Sequence, residues 1–121
     1  MNNVEVIKAI YTAFNAGNLQ EMLDYMADDV VLSGTDNESI DYINGKFVGK
    51  QQVLNFFGHL VKGADVKELN PCTFIDKGEK IVVVNQILAN ERSTGRPLTN
   101  ECIQVATIKN GKLKQLQTSD W

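Results

Sequence analysis

Val4, Ile7, Tyr11 and Phe14 recur at helical spacing, with Ile10 beside them, while Glu5, Lys8, Thr12 and Asn15 fall elsewhere. One apolar stripe on a helix over about residues 3–16 accounts for the pattern. Gly17 stands where a left-handed residue ends such a helix. Asn18 opens a second helix, and Glu21 three residues later completes a capping-box-like pair. Leu19, Met22, Leu23 and Met26 form the buried stripe of that helix, which Asp28 and Asp29 close before a short apolar strand, Val30 to Leu32. Ser33 to Gly49 is polar and turn-rich, and loops of that length in compact domains commonly form lids or rims. A third helix is predicted from about Lys50 to Lys62, with Val53, Phe57, Leu60 and Val61 on one face, Leu54 widening it and Gly63 ending it.

Beyond Gly63 the period changes to that of extended chain. Val66 to Ile75 alternates weakly, and Pro71 within it marks an edge or bulged strand, because proline cannot donate to a ladder. Asp76 to Glu79 is a turn, Ile81 to Arg92 a β-branched strand, and Ser93 to Pro97 the next turn. Leu98 to Lys109 and Lys112 to Trp121 then flank Asn110-Gly111, the strongest short hairpin signal in the chain. The fold class is α+β: three N-terminal helices on one face of a mostly antiparallel sheet, in a single domain of residues 1–121.

Composition narrows the functional classes. Hydrophobic residues make up 43% and charged residues 22%, an ordinary globular mix, and the formal net charge is −3. The basic residues are scattered; the densest group, Lys109, Lys112 and Lys114, merely flanks a turn, so no nucleic-acid partner is expected. The first ten residues carry Glu5 and Lys8 within an amphipathic pattern rather than a signal peptide, and the longest apolar runs are too short to span a bilayer. A cytoplasmic protein without membrane association is expected. Cys72 and Cys102 have no ligand spacing and read as small apolar strand residues. The absence of a His, Cys and carboxylate cluster, and of a phosphate-cradling glycine loop, leads us to expect neither metal nor cofactor.

Four short words, in order, point to a family. They are Ala13-Phe14-Asn15-Ala16-Gly17-Asn18, Tyr25-Met26-Ala27-Asp28-Asp29-Val30, Gly45 to Val53 followed by Phe56-Phe57, and Asn110-Gly111-Lys112-Leu113. In sequence and separation they resemble the SnoaL-like branch of the nuclear-transport-factor-2-like superfamily. The resemblance implies a strongly curved sheet that forms a cone with one pocket, open to a hydrophobic small molecule. It also implies a homodimer through the outer sheet face. That fits Ile103 and Val105 on one face of their strand and Ala106 and Ile108 on the other. Function does not follow from fold. The family implies either a polyketide-cyclase- or isomerase-like enzyme using a carboxylate general base, or a non-catalytic dimeric binding module.

Candidate site residues follow from the strand patterns and from that resemblance. Asp120, on the last strand with Leu116 and Thr118 on its own face, is the candidate general base, its pKa open to tuning by burial. Counted from the Gly-Lys-Leu turn, Trp121 rather than Asp120 falls on the usual terminal Asp position, and a bulge would exchange them. If Ala106 and Ile108 point inward, so do Gln104 and Cys102, and Glu101 does not; Gln104 then orients a ligand carbonyl or satisfies a buried backbone group. Asn85 and Gln86 sit mid-strand among apolar residues, so one faces each way and the inward one needs a partner. Tyr11 is either a core residue or a hydroxyl donor to the pocket. Ile10 takes the place of the ketosteroid isomerase Tyr and Gly34 that of its general-base Asp, both of which argue against isomerase activity. His59, the only histidine, is either an ordinary helix residue or a group at the pocket rim.

Overall fold

The Asn2 side chain accepts the Glu5 amide while the Glu5 side chain reaches back to the Asn2 amide, so two donors at the helix start are satisfied reciprocally. In this computed structural model, which describes residues 2–33, 46–97 and 100–119, that box starts α1 (Asn3–Asn15). The helix buries Val6, Ile7, Ile10, Tyr11 and Ala13, while Val4 and Phe14 are only partly buried. The apolar face is therefore turned slightly from the stripe expected. Gly17, at φ +76°, takes the left-handed conformation that closes the helix, with Asn18 N–H bonded back to the Ala13 carbonyl.

α2 (Leu19–Asp24) is a short helix capped by Asn18, whose side-chain oxygen accepts the Glu21 amide. It ends sooner than the apolar pattern suggested. Met26, expected on its stripe, instead opens β1 (Met26–Ser33), which also contains Asp28 and Asp29. The strand starts early because Tyr25 and Met26 are held by the end of the chain: Leu113 N–H donates to the Tyr25 carbonyl at 2.8 Å, and Met26 pairs with Leu113. A register shift between Met26 and Val31 leaves both aspartates exposed, and Asp29 is held by Lys114. β2 (Lys46–Val48), which the sequence did not reveal, pairs antiparallel with β1, and α3 (Lys50–Gly63) follows. Val53 and Phe57 of α3 are buried as expected; the side chains of Leu60 and Val61 lie outside the described residues.

β3 (Ala64–Lys77), β4 (Lys80–Glu91), β5 (Asn100–Lys109) and β6 (Lys112–Ser119) form the expected four-strand meander. The described strands make one sheet in the order β2-β1-β6-β5-β4-β3, strongly curled into a half-barrel. The β1–β6 pair is parallel and the other pairs are antiparallel. Asn110 (φ +54°) and Gly111 (φ +75°) make the tight turn between β5 and β6, a conformation that favours this dipeptide. Both properties expected of Pro71 are present. β3 lies at the sheet edge, and its register shifts between Pro71 and Thr73. The Asn15 side chain fastens α1 to that edge, donating to the Leu69 carbonyl and accepting from the Leu69 amide, each at 2.9 Å.

The core lies between the helices and the concave face of the sheet. Ile81, Val83 and Asn85 of β4 and Ala106 of β5 are fully buried there, whereas Val82, Val84, Ile103 and Val105 on the convex face are half-buried. No described helix is long and apolar enough to cross a membrane. Leu113, fully buried at the β6 start where the sheet meets Tyr25 and Met26, should be among the costliest residues to truncate. Leu113→Ala is expected to lose about 2–5 kcal/mol, by transfer and cavity terms together, read as a lower urea midpoint with an unchanged slope.

Candidate functional site

Alternation along β4 and β5 sends Asn85 and Gln104 to the same concave face. Val83 pairs with Gln104 and Asn85 with Cys102, so Asn85 stands diagonally from Gln104, within reach of a long side chain. Gln104 in turn lies directly opposite Thr118 on β6. Tyr11 comes down from the buried stripe of α1. These four side chains form one hydrogen-bonded cluster. Gln104 Oε1 accepts from the Tyr11 hydroxyl and from Asn85 Nδ2, the latter at 2.5 Å, while Gln104 Nε2 donates to Thr118 Oγ1 at 3.2 Å.

Burial makes this cluster costly unless every atom is matched. Asn85 is 0% exposed, Tyr11 4% and Gln104 9%, and the two carboxamides are the buried polar residues among those described. Asn85 Oδ1 has no hydrogen-bond partner. An unpaired buried acceptor costs about 1–3 kcal/mol, more than a matched hydrogen bond typically returns. Turning both carboxamides over reverses every donor and acceptor but does not remove the problem, because the orphan atom then becomes Asn85 Nδ2 with its two protons. The orientation described is the better satisfied of the two.

An aromatic row that the sequence pattern did not single out joins α1, α3 and β2. Phe14, one helical turn beyond Tyr11, meets Phe57 at 5.4 Å between ring centroids; Phe57 meets Phe56 at 5.1 Å, and Phe56 meets Phe47 of β2 at 4.9 Å. The Phe56-Phe57 doublet was the available signal, but β2 is needed to bring Phe47 to it.

The expected candidates therefore separate. Tyr11, Asn85, Gln104 and Thr118 come together. Gln86, a candidate binding residue, is carried to the opposite face and is exposed, because neighbours on a strand alternate. Glu101 is exposed, as expected once Gln104 points inward. The His59 side chain, Asp120 and Trp121 lie outside the described residues.

Among the described residues, charge stays at the surface. The carboxyl of Asp29 is held below the usual range by the hydrogen bond from Lys114, that of Asp65 by the one from Lys67, and that of Glu91 by the Thr94 hydroxyl. All three are open to solvent, where such pairs contribute little to stability. Among the described residues no group of His, Cys, Asp and Glu could hold a metal ion. Among the described residues, the concave face thus offers neutral hydrogen-bonding groups set among apolar side chains.

The same architecture occurs in known proteins. An NTF2-like protein of unknown function from Burkholderia pseudomallei superposes with a TM-score of 0.84 at 26% identity, over 98% of this chain and 89% of that one. A candidate polyketide cyclase from Pseudomonas putida does so with a TM-score of 0.83 at 17% identity, over 98% and 90% of the two chains. A candidate isomerase from Rhodopseudomonas palustris gives 0.75 at 15% identity, over 93% and 83%. At such identities the last two share the fold alone. No curated protein matches this sequence. Residues 7–116 match the family model described as a SnoaL-like domain, from the buried face of α1 through the β6 residue Leu116. With that span added to the curled sheet and its helices, the chain belongs to the SnoaL-like domain family, with the NTF2-like, ketosteroid-isomerase-like fold.

Proposed function

We propose that this chain is a cytoplasmic, dimeric small-molecule-binding domain that holds a hydrophobic ligand against the concave face of its sheet. One observation carries the proposal: Asn85 and Gln104 are buried together on that face, and Asn85 Oδ1 is left without a partner. A core selected for stability alone would place apolar residues there. The aromatic row from Phe14 to Phe47 supplies the surface suited to a planar apolar ligand.

Binding rather than turnover is the function these groups support. A phenol, a hydroxyl and two carboxamides orient a ligand by hydrogen bonds, but none of them is a general base near neutral pH. Proton abstraction, the chemistry that the family resemblance implies, requires a base. The base expected from the sequence, Asp120, lies outside the described residues.

The convex face favours a dimer. Ile75, Val82 and Val105 form one row across β3, β4 and β5, and Val84 pairs with Ile103 in the next. Ile75 is 44% exposed, a large apolar side chain left to solvent. Lys77 and Lys80 stand at one end of this patch and Glu101 at the other. A two-fold axis through its centre and across the strands would set the lysines of one copy over Glu101 of the other.

Native mass spectrometry of the protein as purified is expected to show a small-molecule adduct that is lost on denaturation. Purified protein without an adduct, and without a thermal shift on adding polycyclic aromatic compounds, would sink the binding proposal. Sedimentation at micromolar concentration is expected to show a dimer that Val82→Lys with Ile103→Glu converts to monomer with its far-UV spectrum retained. A wild-type protein sedimenting only at 13.5 kDa rejects the dimer. Tyr11→Phe removes a donor to the buried Gln104 oxygen and is expected to cost about 1–3 kcal/mol in chemical denaturation.

A further inference from the structure

We infer that Asn85 Oδ1 is a ligand-recognition atom, and that the ligand it selects is a neutral molecule presenting a hydroxyl or N–H donor on an apolar frame. The inference rests on the proposed binding function and names the chemistry of its ligand. Its starting point is the mismatch inside the cluster. Gln104 Oε1 receives two donors, from Tyr11 and Asn85, and Gln104 Nε2 is taken by Thr118. Gln104 thereby has a partner at each end, with a second N–H left on Nε2, and its orientation fixes that of Asn85. Asn85 Nδ2 donates one of its two N–H groups to Gln104, while Asn85 Oδ1 keeps two lone pairs and no donor.

An acceptor in that state selects a donor. It repels a ligand carbonyl or carboxylate, and it leaves an ether or a hydrocarbon with an unpaired polar atom to cover. No buried cation accompanies it, since Asn85 and Gln104 are the buried polar residues among those described. An anionic ligand would therefore meet no compensating charge at this wall, and a neutral donor is favoured. Asn85 is itself covered, while Gln104 and Thr118 are where the cluster comes nearest to solvent. The Thr118 side is therefore the route by which a donor would reach Asn85.

Paired probes on one apolar frame test this. 2-Naphthol carries the donor, 2-methoxynaphthalene replaces it with an ether, and 2-acetylnaphthalene carries an acceptor alone. Titrated into the wild-type protein at neutral pH and followed by fluorescence or ligand-observed NMR, the naphthol is expected to bind about tenfold more tightly than either of the others. In Asn85→Leu that preference is expected to vanish, with the protein at least as stable as wild type because the orphan acceptor is gone. Equal binding of all three probes to wild type, or tighter binding of the ketone, overturns the inference and leaves the binding function standing. Failure of every probe to bind overturns both. A naphthol preference that survives in a folded Asn85→Leu protein places the donor elsewhere and also overturns it. The wild-type comparison decides the matter even if the variant does not fold.

Discussion

Val83 faces Gln104 across the β4–β5 ladder, and this register decides what the interior of the molecule contains. Side chains alternate strictly along a strand, so a slip of β5 by one residue against β4 would bury Ile103 and Val105 and turn Gln104 outward, away from Asn85. Such a slip would satisfy the hydrophobic effect almost as well, because both faces of these strands are rich in β-branched residues. Hydrogen bonding distinguishes the two arrangements. Only in the observed register does Gln104 lie where Tyr11 of α1, Asn85 and Thr118 all reach it.

The cluster also ties the ends of the chain together. Tyr11 and Gln104 are 93 residues apart, and the contact between them sets the first helix on the last hairpin. At the other margin of the sheet, the parallel pairing of β1 with β6 does the same for the chain just after α2, with Leu113 bonded to Tyr25. The curled sheet is thus clasped from two sides by groups that meet only when the meander is complete. A polar clasp of this kind contributes less free energy than apolar packing of equal volume would, and its contribution here is selectivity among alternative packings.

Much of this was legible in the sequence. The helical stripe of α1, its glycine stop, the third helix, the Asn-Gly hairpin and the edge position of Pro71 all follow from local rules, and local rules held. What failed were the places where distant chain decides. Met26 has the spacing of a helix residue, yet Leu113 claims it for a strand. β2 is three residues long and exists because β1 offers it a partner. The site was half visible: parity required that one of Asn85 and Gln86 point inward, but the β4–β5 connection around Ser93 to Pro97 gives no tight-turn register from which to say which. Tyr11 showed as an ambiguous core residue because its partner lies on β5, and the aromatic row was hidden because Phe47 belongs to the unforeseen strand.

Asn15 adds a property of a different kind. Its carboxamide offers Leu69 one acceptor and one donor, the same pair that a neighbouring strand would offer, on the open side of β3. The longest strand of the sheet therefore ends its ladder against a side chain of its own molecule. A second chain laid along that edge would have to evict Asn15 and then pass the kink beside Pro71. Open-ended strand addition along this edge is thereby opposed. The dimer proposed above would use the convex face instead, where association is closed and symmetric rather than open-ended.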